Sequence, residues 1–259
     1  MLSGTTASRR ITESWPALGS LARVVVYAPN HEWLAPVKAR VSALDQILSD
    51  YIPNSELNRV CREAHRRTMR VSREFFAVLS FAQRVSLLSG GVFDVTIGAR
   101  TRGRTGSVGY QYVALGNQSV RLAKPDMQFD FGGLAKGFIA DEVSTLLDRM
   151  NLRQHLVAFS GDIVLGDAPP GEAGWKIGLG SENRSRYLSR CGISTAGNTF
   201  QPGHILDATT SQAHTGNETI TVIAPNGLTA DALDTALLLL PAEGRKRLLQ
   251  SFPEAESLQ

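Results

Sequence analysis

The sequence predicts a mixed α+β fold, and three observations carry that prediction. Apolar residues recur at three- and four-residue spacing in a few long stretches, which marks amphipathic helices. Shorter runs rich in Val, Ile, Leu and Thr are bounded by Gly, Pro, Asn and Asp, which marks strands and turns. Strands outnumber helices and interleave with them unevenly, so a regular βαβ repeat does not fit.

Residues 1–14 are polar and read as a poorly ordered arm, 15–250 as one domain and 251–259 as a tail. Ser20 to Ala28 reads as a strand ended by Pro29-Asn30. Leu34, Val37, Val41, Leu44 and Leu48 then mark a long helix with Asn30 as its cap. Ser49 to Leu57 reads as a loop, and the arginines from Arg59 to Arg73 as a solvated face, with a binding patch as the alternative. Ser72 caps a second helix carrying Phe75, Val78, Leu79, Ala82 and Val85, ended by Gly90-Gly91. Val92 to Gly98 alternates like a strand edge, Arg100 to Arg104 reads as a mobile loop, and Tyr110 to Leu122 as a hairpin. Met127 to Phe131 predicts a strand feeding a helix that buries Ile139, Val143, Leu146 or Leu147, and Met150. Further strands are expected at Leu156–Phe159, Ile163–Leu165, Trp175–Leu179, Gly192–Thr195 and Thr219–Ala224, and a helix from Leu228.

Composition narrows the function. A formal charge of +3 with a pI near 9.0 favours anionic small molecules slightly and is no nucleic-acid signature. Only Cys61 and Cys191 are present, which excludes a disulfide framework and a cysteine-rich zinc site. No apolar run reaches membrane-spanning length, so no stable membrane insertion is expected. Arg9-Arg10 is followed by no apolar stretch, which predicts a cytoplasmic protein, or a periplasmic one after removal of an export signal.

Three stretches carry chemistry. Asp130-Phe131-Gly132-Gly133-Leu134-Ala135-Lys136-Gly137 joins the expected strand to its helix. Glycines let the backbone approach a ligand, a helix N-terminus offers N–H groups to phosphate, and Lys136 adds a cation. The stretch reads as a phosphate-cradling turn, or as a packing turn with an exposed lysine; its spacing matches neither a Walker loop nor a dinucleotide fingerprint. In a helix, Asp231 and Thr235 share one face with Asp234 beside them, and such hard oxygen donors suit Mg²⁺. The same residues equally suit a helix dipole and a threonine back-bond. His204, three residues before Asp207, reads as a base, a substrate contact or a surface pair.

Together and in this order, these stretches resemble the ApbE family of FAD:protein FMN transferases, from about Ala17 to Leu240. The matching pieces are Ala17–Ser20, Ser49–Leu57, Gly91–Thr96, Asp130–Asp141, Ser160–Ile163, Ile193–Gly197, His204–Asp207 and Ala230–Ala236. The resemblance implies an ApbE-like mixed sheet with flanking helices. It also implies Mg²⁺-dependent cleavage of FAD, transfer of FMN to a threonine or serine of a client flavoprotein, and release of AMP. It assigns the metal to Asp231 and Thr235, with backbone carbonyls of Ala135 and Asp234. Gly132, Gly133 and Lys136 are placed against the dinucleotide, Asp141 near its adenosine end, and Thr96, Ser194 and Thr195 at the cofactor. His204 becomes the base for the client hydroxyl, with Asp207 orienting or replacing it. Cys61 stands where the family commonly has Asn, and Ala208 where it has Pro. An FAD pyrophosphatase giving FMN and AMP, and a non-catalytic FAD-binding protein, are the rival readings.

Overall fold

Strand β1 (Arg9–Ala17) turns back into β2 (Ser20–Ala28) through Leu18 and Gly19, both at positive φ (55° and 65°), the two-residue geometry that suits strand twist. The computed structural model describes residues 8–179, 184–197 and 203–258. Three helices and a short strand follow: α1 (Leu34–Leu48), α2 (Glu56–Glu63), β3 (Met69–Arg70) and α3 (Arg73–Leu88). Then come α4 (Gly98–Thr101), a hairpin of β4 (Val113–Gly116) and β5 (Ser119–Leu122), and α5 (Ala135–Arg149). The chain continues through β6 (His155–Phe159), β7 (Asp162–Leu165), β8 (Trp175–Leu179), β9 (Arg184–Leu188), β10 (Gly192–Gly197) and β11 (Thr219–Ala224). It closes with α6 (Gly227–Leu239), α7 (Ala242–Gln250) and β12 (Glu256–Leu258). The fold is α+β.

Among the described residues, the main sheet has seven antiparallel strands in the order β1-β2-β6-β7-β10-β11-β12. Alternation along its strands divides two cores. Val24, Val26, Val157, Phe159, Val164 and Val222 face the large core shared with the helices. Val25, Leu165 and Ile193 face the other way, against Trp175, Ile177 and Leu179 of the β8–β9 hairpin. The residues that follow from this register are decisive for the site: Asp162 and Ser194 lie on the helix side of β7 and β10.

Several expectations are corrected. Residues 9–14 belong to β1, within the stretch expected to be an arm, and the expected tail contains β12. Both are edge strands, where one partner strand and a solvated face suffice, so their sequences stay polar. Residues 1–7 lie outside the described residues. The cap of α1 is Trp33; Asn30 instead accepts from Glu32 N at 3.0 Å in a turn just before it. The expected loop and arginine run contain α2, capped by Ser55 Oγ accepting from Asn58 N at 3.0 Å. Met127–Phe131 is no strand: only Gln128 bridges to Ile97. Its alternating Phe129 and Phe131 are buried against Phe75, with centroids 6.2 and 5.3 Å from that ring. Val92–Gly98 is a turn organised by Asp94, whose carboxylate accepts from Thr96 N, Thr96 Oγ1 and Tyr110 N.

A candidate active site where two helices cross

Helices α5 and α6 cross at their first turns, so closely that only glycine fits. A Cβ on Gly137 would lie 2.2 Å from Gly227 O, and one on Gly227 would lie 2.5 Å from Gly137 O. Each helix then caps the other. Asp141 of α5 accepts from Gly227 N (2.7 Å) and Leu228 N (2.8 Å), while Asp231 of α6 accepts from Gly137 N (2.9 Å). A carboxylate at a helix N-terminus satisfies orphan N–H groups and complements the dipole. The N-terminus of α5 is therefore partly occupied: Gly137 N by Asp231 and Ala135 N by Phe131 O at 2.8 Å. Less of it is open to phosphate than the glycine turn suggests.

Asp231 belongs to a buried acidic cluster. Asp162, Asp231 and Asp234 are each at most 3% exposed, and one oxygen from each lies within 4.8 Å of the others. Lys136 Nζ pairs with Asp162 Oδ2, so the lysine is drawn into this cluster from the turn where it was expected to stand free. Ser194 Oγ bonds both Asp162 Oδ1 and Asp234 Oδ2, and Thr235 Oγ1 donates to Asp234 Oδ1 at 3.1 Å. Gly133 adjoins the same point, since a Cβ there would lie 3.2 Å from Thr235 Oγ1 and 3.4 Å from Phe93.

Electrostatics follow from crowding. Burial first, then the charge of Asp162, pushes the Asp231 carboxyl up to about 8, with Lys136 opposing. Burial and the charges of Asp231 and Asp162 likewise raise Asp234 well above the usual range. One hydroxyl has one proton, so Ser194 cannot donate to two carboxylates. A further proton is therefore shared within a chain that runs from Asp234 through Ser194 to Asp162 and Lys136. For Lys136, burial alone would lower its pKa, but Asp162, Asp231 and Asp234 outweigh that and raise it. Removing the ammonium leaves Asp162 without its cationic partner in a buried acidic cluster. Lys136→Met is expected to cost about 2 kcal/mol in the metal-free protein, between the values for exposed and fully buried pairs because the side chain is 32% exposed. Urea unfolding would show this, and an unchanged midpoint would return the lysine to a surface role.

The remaining predicted residues lie elsewhere. Thr96 is buried in the Asp94 turn, its Oγ1 accepting from Gly109 N at 2.7 Å, so it shapes the loop beside Phe93. Thr195 points away from Ser194 across β10, is exposed, and shares a 2.9 Å hydrogen bond with Thr221 Oγ1. Gly132 N donates to Asp130 Oδ1 at 2.8 Å, which folds the turn back on itself. His204 is exposed on a loop anchored by buried Ile205, by a Leu206–Ala213 bridge, and by Ala208 N on Val92 O at 3.0 Å. Asp207 does not orient it. Its Oδ1 accepts from Thr209 N, Thr209 Oγ1 and Thr210 N, so Asp207 builds the turn that replaces the expected Asp-Pro. Cys61 is buried and its Sγ accepts from Phe129 N at 3.2 Å, an internal contact under the glycine turn.

Asp141 stands apart from the cluster, at the cap of α6. Burial raises its carboxyl to about 6 despite the two N–H bonds that pull it down. A folded pKa above the unfolded value of about 3.9 means stability that is full below pH 4 and lost as pH rises through 6. Asp141→Asn removes that dependence. The difference in unfolding free energy between variant and wild type should therefore move in favour of the variant from about pH 4 to pH 7. A pH-independent difference would show that the carboxyl titrates alike in both states.

Asp162 is the residue the sequence reading missed. Its signal was an aspartate on the core-facing register of a strand otherwise apolar on that side, next to Val164 and just after a turn with Ser160 at φ 56°.

The fold has close counterparts among solved structures. A flavin transferase ApbE from Vibrio cholerae superimposes with a TM-score of 0.86 at 20% identity, covering 97% of this chain and 93% of that one. The apo flavinyl transferase ApbE of Pseudomonas stutzeri gives 0.85 at 23% identity, covering 95% and 90%. In sequence, the chain is 25% identical to the FAD:protein FMN transferase of Treponema pallidum, over 98% of this chain and 85% of that protein. It is 27% identical to the enzyme of the same name from Klebsiella pneumoniae, over 83% and 73%. The profile of the ApbE family matches residues 18–258, and the chain belongs to that family.

Proposed function

We propose that this chain is a transferase that moves FMN from FAD to a threonine or serine hydroxyl of a client flavoprotein and releases AMP. The observation that carries the reading is the buried Asp162–Asp231–Asp234 cluster, with Lys136, Ser194 and Thr235, set against the glycine turn. The names of the Treponema and Klebsiella relatives support it. Three carboxylates and a hydroxyl form an all-oxygen donor set, and one ammonium does not balance them, so the residues fit a hard divalent cation such as Mg²⁺. Asp231, Asp234, Asp162 and Thr235 would hold it, with the carbonyls of Ala135 and Asp234 as further donors. When bound, Mg²⁺ neutralises pyrophosphate oxygens and so eases attack at phosphorus.

The chain's own residues do the rest. Lys136 holds Asp162 in place, and the Gly137–Gly227 contact fixes Asp231 against α5. The acceptor oxygen forms a bond to the FMN phosphorus as the anhydride bond to AMP breaks, and the hydroxyl proton passes to His204. The nucleophile belongs to the client, and neither cysteine is suited to replace it: burial raises Cys61 to about 12 and Cys191 to about 11. The test is to incubate the protein with FAD, Mg²⁺ and a threonine-containing flavoprotein acceptor. Covalent flavin fluorescence with equimolar AMP is expected. AMP without covalent flavin would mark a pyrophosphatase, and neither product a binding protein.

A further inference from the structure

The net charge of the chain resides in one short segment. Residues 56–74 hold six arginines (Arg59, Arg62, Arg66, Arg67, Arg70 and Arg73) and three glutamates, a net +3 equal to that of the whole sequence. The rest of the chain is balanced, and all six arginines are exposed. Three of them, Arg62, Arg66 and Arg67, line an open cleft of about 710 Å³ between the end of α2 and Pro125–Gln128. The one acid in its wall, Glu63, is paired with Arg67 at 2.5 Å. Arg62 donates to Pro53 O (2.8 Å) and Arg66 to His65 Nε2 (3.3 Å), and among the described residues neither is paired with a carboxylate.

The position of the cleft matters as much as its charge. Its floor is Cys61, which holds Phe129 N, and its far wall is Gln128, so it borders the backbone that runs directly into the glycine turn. A protein whose hydroxyl must reach the site has to lie on the surface beside it. We infer that this arginine cleft docks an acidic segment of the client protein and steers it toward the glycine turn. The inference rests on the transferase reading. A nucleic acid fits less well, because residues 56–74 contain no Phe, Tyr or Trp on which a base can stack.

The test uses the full chain and two synthetic peptides with the same threonine core, one flanked by glutamates and one by glutamines. The glutamate peptide, fluorescently labelled, should bind with an affinity that falls steeply between about 50 and 300 mM salt. Its KM for FMN transfer should be about tenfold lower than that of the glutamine peptide. In the double variant Arg62→Glu/Arg66→Glu that preference should vanish while kcat and FAD affinity stay unchanged. Equal KM values in the wild type would overturn the inference. So would a loss of FAD affinity in the variant, which would assign the cleft to the cofactor, or displacement of the labelled peptide by a single-stranded RNA at lower concentration. If neither peptide accepts FMN, the transferase reading is what fails, and the anisotropy measurement still decides whether the cleft binds acidic chains.

Discussion

Asp231→Asn is expected to lower FMN transfer by about a hundred- to a thousandfold, the range for losing one preorganised electrostatic contact in a dry site. The amide keeps the shape of the side chain, and its oxygen still accepts from Gly137 N, so the α5–α6 crossing should survive. What disappears is the anionic charge. Two further consequences separate this from a folding defect. The variant should need more Mg²⁺ to reach half its maximal rate, because a neutral amide is a weaker ligand than a carboxylate for a hard cation. The metal-free variant should also be at least as stable as wild type, since burial and Asp162 already make ionised Asp231 costly. Thr235→Ala removes one neutral oxygen and should do less harm. Equal rates for Asp231→Asn and wild type at limiting Mg²⁺ would sink the metal assignment.

How much of this site was legible beforehand depends on the distance over which residues meet. Asp231, Asp234 and Thr235 share a helix, so a period of 3.6 residues placed them together before any fold was known. Asp162, Ser194 and Lys136 meet them only through the order β7-β10 in the sheet and the crossing of α5 over α6. Nothing local in the sequence encodes that. Lys136 illustrates the difference: its position in a glycine turn suggested a free cation, whereas three carboxylates from distant segments claim it. Asp141 is similar, being an acid in the right motif that the fold uses to cap α6. The helices α3 and α5 and the strands β6, β7, β8, β10 and β11 were legible because each buries one face in regular alternation. Met127–Phe131 misled for the same reason, since Phe129 and Phe131 alternate to reach an aromatic cluster and not to pair with a strand.

His204→Asn is expected to reduce the transfer rate about a hundredfold while leaving FAD and Mg²⁺ affinity nearly unchanged. Imidazole titrates in the neutral range and can take the proton of an acceptor hydroxyl; an amide keeps hydrogen bonding but cannot carry the proton away. The placement of the loop supports a role toward the acceptor. Buried Ile205 and the Leu206–Ala213 bridge fix it just after the histidine, and Ala208 N rests on Val92 O. Val92 adjoins Phe93, which packs against Gly133 beside Thr235, so an exposed His204 sits on a loop one segment removed from the acidic cluster. Asp207 is committed by its Oδ1 to the turn, through Thr209 and Thr210. Single-turnover transfer measured across pH should therefore lose its acidic limb in His204→Asn, and Asp207→Asn should affect loop stability without changing that limb. If His204→Asn binds FAD poorly yet transfers FMN normally once saturated, the histidine is a cofactor contact, and the proton leaves the acceptor by another route.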